Sequence, residues 1–268
     1  MGAFSTQREC KNNGKHEVQL YAYFALLNGK EKGSFSMSIL GHLEPTNVFH
    51  FFEEICKIPH GSGNIDKISD YLVEFAKTRN LEYYQDSIKN VIIIKEATAG
   101  YEDKEAIMLQ GHMDMVAVKK PESTINMQTE GLRLKVDGDY VFAEDTSLGG
   151  DDGIAVAYEL ALLDADNISH PRIECIFTVD EEVGLTGAAA IDLSVCKAKR
   201  MLNLDSEEEG IFLTGCAGGM RVDCTLPLKR EMKDGALCEV LIGGLTGGHS
   251  GAEIHKGRAN SHTVMGRF

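Results

Sequence analysis

The stretch Ala106-Ile107-Met108-Leu109-Gln110-Gly111-His112-Met113-Asp114 decides the fold of this chain. Its first four residues are apolar and predict a buried strand. Alternate side chains of a strand share a face, so His112 and Asp114 point the same way. This pairing is typical of a histidine that binds a metal while a carboxylate holds its other ring nitrogen. A purely structural pair would produce the same two residues, so the pattern alone leaves both interpretations open.

Three acidic clusters follow, each at the end of a predicted strand or in the loop after it. They are Leu148-Gly149-Gly150-Asp151-Asp152-Gly153, Val179-Asp180-Glu181-Glu182-Val183-Gly184 and Leu204-Asp205-Ser206-Glu207-Glu208-Glu209. Parallel strands joined by crossover helices bring their carboxyl ends to one edge of a sheet, where open α/β folds place their sites. We therefore expect acids of all three clusters to converge, namely Asp151, Glu181, Glu182 and Asp205. The run 207–209 instead indicates solvated loop residues.

Converging carboxylates without a cation would repel one another and take up protons. One or two divalent metal ions would remove that conflict. A ligand set of one imidazole and several carboxylates suits zinc, with cobalt or manganese as alternatives, because geometry and availability decide among these metals more than affinity does.

The rest of the chain alternates between helical and strand patterns from Met37 onward. Periodicity predicts helices over 45–57, 64–79, 153–163 and 187–193, strands over 90–95, 106–110, 173–179 and 201–205, and a hairpin over 132–142. Together these elements predict an α/β fold with a sandwiched mixed sheet. Beyond Gly218-Gly219, strands near 221–227 and 238–242 and a helix reaching Phe268 predict a second, α+β unit.

Composition excludes several classes of function. The formal net charge of −14 argues against binding to nucleic acid or to an anionic membrane, because both depend on basic patches. The seven cysteines are odd in number and irregularly spaced, which indicates reduced thiols in a cytoplasmic protein. No stretch is apolar over the length that a bilayer requires.

Five ordered motifs resemble one family. They are Gln110-Gly111-His112-Met113-Asp114, Leu148-Gly149-Gly150-Asp151-Asp152-Gly153, Asp180-Glu181-Glu182-Val183-Gly184, Asn203-Leu204-Asp205-Ser206-Glu207-Glu208-Glu209 and Gly247-Gly248-His249-Ser250-Gly251. In this order they resemble the aminoacyl-histidine (Xaa-His) dipeptidases, a bacterial family of the dinuclear zinc peptidase clan. The resemblance begins near Ser38 and runs to the end of the chain.

The resemblance implies a centre of two zinc ions per complete subunit. His112 and Asp205 would bind one metal, Glu182 would bind the other, and Asp151 would bridge them. The family also implies a strained peptide bond, commonly cis, between Asp151 and Asp152.

Three further residues receive catalytic roles by resemblance. Asp114 would orient His112, and Glu181 would be the general base that accepts a proton from the metal-held water. His249 lies in the glycine-rich lid motif and would help to hold the tetrahedral oxyanion, often in the partner subunit's site. The alternative for His249 is an exposed turn.

The resemblance also divides the chain into segments. Residues 1–36 fall outside it and are expected to be a non-native or disordered leader, with Met37 as the native start; a genuine extension is the alternative. Residues 37–219 correspond to the first part of a catalytic domain, and 220–268 to the start of an inserted lid and dimerisation domain, truncated at Phe268. Relatives supply a last histidine ligand from near their carboxyl terminus. The other histidines of this chain are expected to be surface or loop residues, namely His16, His42, His50, His60, His170, His255 and His262.

The expected activity is metal-dependent hydrolysis of Xaa-His dipeptides by a metal-activated water, in a cytoplasmic homodimer that acts on small peptides. Two alternatives stay open. One is a catalytically incomplete fragment that only binds metal, and the other is an N-acyl amino acid deacylase of the same clan.

Overall fold

A computed structural model of the protein describes residues 38–206, 210–216, 218, 220, 222–232, 234–248 and 253–268. The chain divides after Phe212 into two compact units. The predicted leader, 1–36, lies outside the described residues. The boundary expected near residue 219 stays a prediction.

The first unit is built on a five-stranded sheet and a separate hairpin. The strands are β1 (Glu82–Gln85), β2 (Val91–Lys95), β3 (Ile107–His112), β4 (Leu134–Asp137), β5 (Tyr140–Ala143), β6 (Ile173–Thr178) and β7 (Arg200–Asn203). The order in the sheet is β1-β2-β6-β3-β7, while β4 and β5 form the hairpin. Strand β3 pairs parallel with both β6 and β7, whereas β2 pairs antiparallel with both β1 and β6. This mixed sheet confirms the predicted fold class.

Helices cover the sheet because their apolar residues recur at helical spacing. They are α1 (Thr46–Cys56), α2 (Asp66–Thr78), α3 (Gly150–Asp164) and the short α4 (Thr186–Ala190). Helix α3 packs against both α1 and β3. One face of the sheet, with Ile93 and Cys175, belongs to the main core. The opposite face, with Ile92 and Ile176, packs against a smaller cluster around Ile191. The central strands β2 and β6 are therefore buried on both faces, as the sandwich prediction requires, whereas the edge strands β1 and β7 are mostly exposed.

The structure differs from the predicted secondary structure in two places. Strand β1 was missed, because Glu82-Tyr83-Tyr84-Gln85 is short and mostly exposed and so carries little periodicity. The strands expected over 221–227 and 238–242 are not present in the described part of those segments. Their apolar side chains, such as Leu226 at 78 % exposure, are not buried, and an isolated strand without a partner does not offset the entropy of ordering its backbone.

The second unit, taken by itself, contains two short helical elements among its described residues. A 3-10 helix spans Ile254–Lys256 and helix α5 spans Ser261–Arg267, which agrees with the predicted terminal helix. The carboxamide oxygen of Asn260 accepts a hydrogen bond from the Thr263 amide at 3.0 Å and so caps α5. In the described part of the chain, no helix combines the length and the apolar character needed to traverse a bilayer.

Candidate metal centre

The carboxyl ends of the three parallel strands bring the predicted residues to one edge of the sheet. His112 is the last residue of β3, Glu181 and Glu182 follow β6, and Asp205 follows β7. Asp151 joins them from the amino-terminal end of α3, which packs on β3. The convergence expected from the strand-end acids is therefore present in the structure.

His112 is the common member of this cluster. Its side chain is buried at 1 % exposure, with Nδ1 3.5 Å from Asp114 Oδ1 and Nε2 3.0 Å from Asp151 Oδ1. Burial opposes protonation, but hydrogen bonds to Asp114 and Asp151 outweigh it and raise the pKa of His112 to about 11. The imidazole therefore lies between two carboxylates, with Nε2 directed at the acidic cluster and Nδ1 at Asp114.

Two groups of side chains place their donor atoms close enough to hold a metal ion. His112, Asp152 and Asp205 form one group, and His112, Glu181 and Glu182 form the other; within each group the donor atoms lie within 4.8 Å of one another. Asp205 also hydrogen-bonds to Asp151.

Asp152, to which the sequence assigned no role, is therefore part of the cluster. Its buried Oδ2 accepts a hydrogen bond from the His112 amide at 3.2 Å. Both acids of the pair reach the site because the backbone of α3 is not helical at Asp151 and Asp152. The peptide bond between them is cis, as the resemblance implied.

The carboxylates disturb one another electrostatically. Burial and the nearby Asp205 raise the pKa of Asp152 well above its usual value. Loss of hydration around the carboxyl group and the Asp151 charge raise the pKa of Asp205 to about 6, although the residue as a whole is exposed. The same two causes raise the pKa of Glu182. A divalent cation among these oxygens would relieve their repulsion, so the donor set fits a metal.

The carboxylate of Asp114 is held from several sides. Asp114 is 1 % exposed; its Oδ1 accepts from the Glu181 amide at 3.0 Å and its Oδ2 accepts from the Ser62 hydroxyl at 2.7 Å. Ser62 was not singled out in the sequence, where it belongs to an ordinary Pro-His-Gly-Ser-Gly turn. The only signal for it was that the turn follows α1 and is rich in small residues.

Close packing beside the site requires glycine at position 111. A Cβ atom there would lie 2.7 Å from Ala155 Cβ and 2.8 Å from Asp152 Oδ2. Gly111 thus lets α3 approach β3 closely enough for Asp152 to reach the His112 amide.

A buried acid lies behind the centre. Glu159, about two helical turns after Asp152 on α3, is fully buried, and neither of its carboxyl oxygens has a conventional hydrogen-bond partner. Burial and the proximity of Asp152 raise the pKa of Glu159 well above its usual value, against a weak opposing contact with the Cys175 thiol. Burial therefore favours the neutral form of this acid in the folded protein.

A cavity of about 800 Å³ opens beside the cluster, with Asp151 and Glu182 in its wall. Val116, Val118 and Phe142 provide apolar surface around it. The site therefore borders a space large enough for a small organic ligand.

The other histidines of the described residues differ in burial: three are exposed and one is half-buried, namely His42, His255, His262 and His50, while His16 lies outside the described residues. His60 and His170 lie in loops, as expected, but they are buried at 4 % and 5 % exposure. The His60 Nδ1 hydrogen-bonds to the Ile58 carbonyl, and the His170 Nδ1 to the Pro171 carbonyl, so local backbone partners make their burial possible. His249 and the acids 207–209 lie outside the described residues.

Comparison with known proteins places this arrangement in a family. The cytosol non-specific dipeptidase of Escherichia coli is 37% identical over 234 residues, which is 87% of this chain and 48% of that protein. The crystal structure of aminoacylhistidine dipeptidase from Vibrio alginolyticus matches with a TM-score of 0.64 and 32% identity, over 86% of this chain and 48% of that one. Aminopeptidase PepT from Bacillus cereus matches with a TM-score of 0.51 and 26% identity, over 60% and 43% of the two chains.

No family model matches the sequence. The chain spans about half the length of the dipeptidases that it matches. The agreement nevertheless extends over most of this chain, in both sequence and fold. The chain belongs to the family of the aminoacyl-histidine dipeptidases.

Proposed function

We propose that this chain forms part of a metal-dependent dipeptidase that cleaves small peptides, including Xaa-His dipeptides. The convergence of His112 with acids from three separate segments at one sheet edge carries this proposal. The names of the E. coli and Vibrio relatives support the substrate class, since one is a non-specific dipeptidase and the other an aminoacylhistidine dipeptidase.

The proposed cofactor is a pair of zinc ions, with cobalt or manganese as alternatives that accept the same nitrogen and oxygen donors. His112 and Asp205 would hold one ion, Glu182 the other, and Asp151 would contribute to both. Asp152 would support the first position by accepting the hydrogen bond from the His112 amide at its Oδ2. When bound, such ions polarise a scissile carbonyl and lower the pKa of bound water.

Glu181 is the proposed general base. Its Oε2 lies 3.9 Å from His112 Nε2, on the side of the ring that faces the acidic cluster, and its side chain is 29% exposed. A carboxylate in this position can accept a proton from water at Oε2 and pass it to the departing amine. Asp114 fixes the backbone of Glu181 through the amide hydrogen bond and so limits where that oxygen can be.

The cavity beside Asp151 and Glu182 is the proposed place for the peptide. Its apolar walls would contact a side chain of the substrate, while the cluster acts on the peptide bond. We further propose a cytoplasmic location, as the name of the E. coli relative indicates, and a homodimer for the complete enzyme. Sedimentation analysis of the complete enzyme tests the dimer.

A second candidate is a catalytically incomplete metal-binding fragment. It is favoured by the composition of the metal cluster, which contains a single histidine in the described part of the chain. A three-ligand site for one metal would still be available from His112, Asp151 and Asp205.

One experiment separates these possibilities. The 268-residue chain is stripped with a chelator and titrated with zinc or cobalt, and metal content and release of free histidine from an Xaa-His dipeptide are both measured. Metal binding with turnover supports the dipeptidase, and metal binding without turnover supports the incomplete fragment. The Asp151→Ala variant is expected to lose metal in either case. Absence of metal binding by the parent chain would overturn the proposal, and hydrolysis of N-acyl amino acids in place of dipeptides would indicate a deacylase.

A further inference from the structure

We propose that Ser62 is a positioning residue of the metal centre, which acts through Asp114 on both His112 and Glu181. This inference rests on the proposed function, because it concerns the geometry of the same centre. Ser62 itself does not contact the acidic cluster that would hold the metal.

The hydrogen bonds of Asp114 give Ser62 this role. The Ser62 hydroxyl donates to Oδ2 at 2.7 Å, whereas Oδ1 accepts from the Glu181 amide at 3.0 Å and lies 3.5 Å from His112 Nδ1. The two oxygens are thus held from different directions, which fixes the plane of the carboxylate. Asp114 is 1 % exposed, so water has little access to replace a missing donor.

Asp114 also orients the His112 ring. His112 Nδ1 lies 2.9 Å from the Asp114 carbonyl oxygen and 3.5 Å from Asp114 Oδ1. These two acceptors on the Nδ1 side favour the tautomer in which Nε2 is free to bind a metal.

The loop that carries Ser62 is attached to the site by backbone contacts of its own. Gly61 forms a parallel bridge with Met115, the Ser62 amide donates to the Met115 carbonyl at 3.1 Å, and the Met115 amide donates to the His60 carbonyl at 3.1 Å. The Gly63 amide donates to Asp180 Oδ1 at 2.7 Å. Loss of the Ser62 hydroxyl would therefore leave these backbone contacts in place and remove the restraint on Asp114, together with a longer contact of 3.4 Å to the Met115 carbonyl.

Loss of the Ser62 hydroxyl is expected to weaken the positioning of two functional groups, His112 and Glu181. Without the Ser62 donor, the Asp114 carboxylate can rotate, and His112 and Glu181 lose a fixed partner. Mutation of an outer partner of a metal-binding histidine typically weakens metal affinity by about 10–100-fold. Ser62 holds such a partner, Asp114, so Ser62→Ala should lose up to that much affinity. It should also lower the melting temperature of the metal-free protein, because a buried carboxylate loses a donor.

Ser69 provides a matched control. It is a buried serine on α2 whose hydroxyl donates to the Lys89 carbonyl at 2.7 Å and accepts from Gln85 at 2.8 Å, with no contact to the metal cluster. Ser69→Ala removes a comparable hydroxyl and tests whether any such loss lowers metal affinity. Ser62→Thr retains a hydroxyl at the critical position and tests for rescue.

The experiment measures the zinc affinity of the parent chain and the three variants by competition with a chromophoric chelator. It also records the absorption spectrum of bound cobalt, which reports ligand geometry, and the melting temperature without metal. Ser62→Ala is expected to lose up to roughly 10–100-fold in affinity and to alter the cobalt spectrum, Ser62→Thr to restore both, and Ser69→Ala to change only the melting temperature.

Two results would overturn this inference while leaving the proposed function intact. In the first, Ser62→Ala binds zinc as tightly as the parent and gives the same cobalt spectrum. In the second, Ser62→Ala and Ser69→Ala lose affinity equally. A parent chain that binds no metal would instead overturn the proposed function, and this inference with it.

Discussion

Replacing Glu159 with methionine is expected to flatten the dependence of folding stability on pH. Glu159 is fully buried on α3 without a conventional hydrogen-bond partner, and burial raises its pKa well above the ordinary value of 4.5. The folded protein therefore holds this proton at a pH where the unfolded chain has released it. The stability from this proton is fully present below about pH 4.5 and is lost as the pH rises through the folded-state pKa.

The size of the effect follows from linkage. Each pH unit in this window costs about 1.4 kcal/mol of unfolding free energy for one such group. Above about pH 5, the parent should therefore lose stability relative to Glu159→Met at up to about 1.4 kcal/mol per pH unit, and the difference should level off as the pH passes the folded-state pKa of Glu159. Other titrating groups contribute to both proteins, so the difference isolates Glu159. Methionine is suitable because it is close in volume to glutamate and is at home in an apolar core.

Urea unfolding followed by circular dichroism, repeated across this pH range, gives the free energies. Glu159→Gln should flatten the profile in the same way, but it should be less stable than Glu159→Met because the amide remains a buried polar group without a partner. Glu74→Met, at an exposed position of α2, is the control and should run parallel to the parent. Parallel profiles for Glu159→Met and the parent would refute the reasoning.

Three further predictions concern the proposed general base, a glycine in helix α4 and a buried ion pair. In an active enzyme preparation, Glu181→Gln is expected to retain metal and to lose about 10²–10⁴-fold in turnover; near-normal hydrolysis would remove Glu181 from the mechanism. Gly187→Ala should lower the free energy of unfolding, measured in urea, by about 1–3 kcal/mol, because its Cβ would lie 2.5 Å from both the Val179 amide nitrogen and Asn90 Oδ1; an unchanged free energy would contradict the packing described. Arg172→Met should cost about 3–5 kcal/mol, since it strips the fully buried Glu174 of a charge partner at 2.7 Å; the added change Glu174→Gln should recover part of that loss, and no recovery would argue against an ionised Glu174.

The regular parts of the fold and the meeting of distant acids were predictable from the sequence. His112 ends strand β3 and Asp205 follows strand β7. The carboxyl ends of these parallel neighbours lie at one edge of the sheet, so periodicity was sufficient to predict that the two residues meet. The presence of Asp152 in the cluster together with Asp151 was not predictable in this way. It depends on a non-helical start of α3, which no spacing rule encodes.

Contacts between segments far apart in the chain could also not be predicted from the sequence. Ser62 meets Asp114 only because the loop after α1 docks beside the residues that follow β3, and the loop itself has an ordinary turn composition. The described residues of 222–232 show the reverse case, in which the sequence predicts strands that the structure does not contain. Their apolar spacing is suitable for strands, but pairing requires a partner that periodicity cannot supply.

The strand order has a consequence for how the protein is made on the ribosome. Strand β6 lies between β2 and β3, yet it follows both in the chain. During synthesis, β2 and β3 must therefore wait until residues 173–178 have left the exit tunnel, with apolar side chains such as Ile93 and Leu109 without their final partner. A nascent chain in this interval presents open strand edges, which are the surfaces that chaperones shield and that aggregate when they are not shielded. Translation speed between β3 and β6 is thus expected to influence the yield of folded protein more than translation speed after β7.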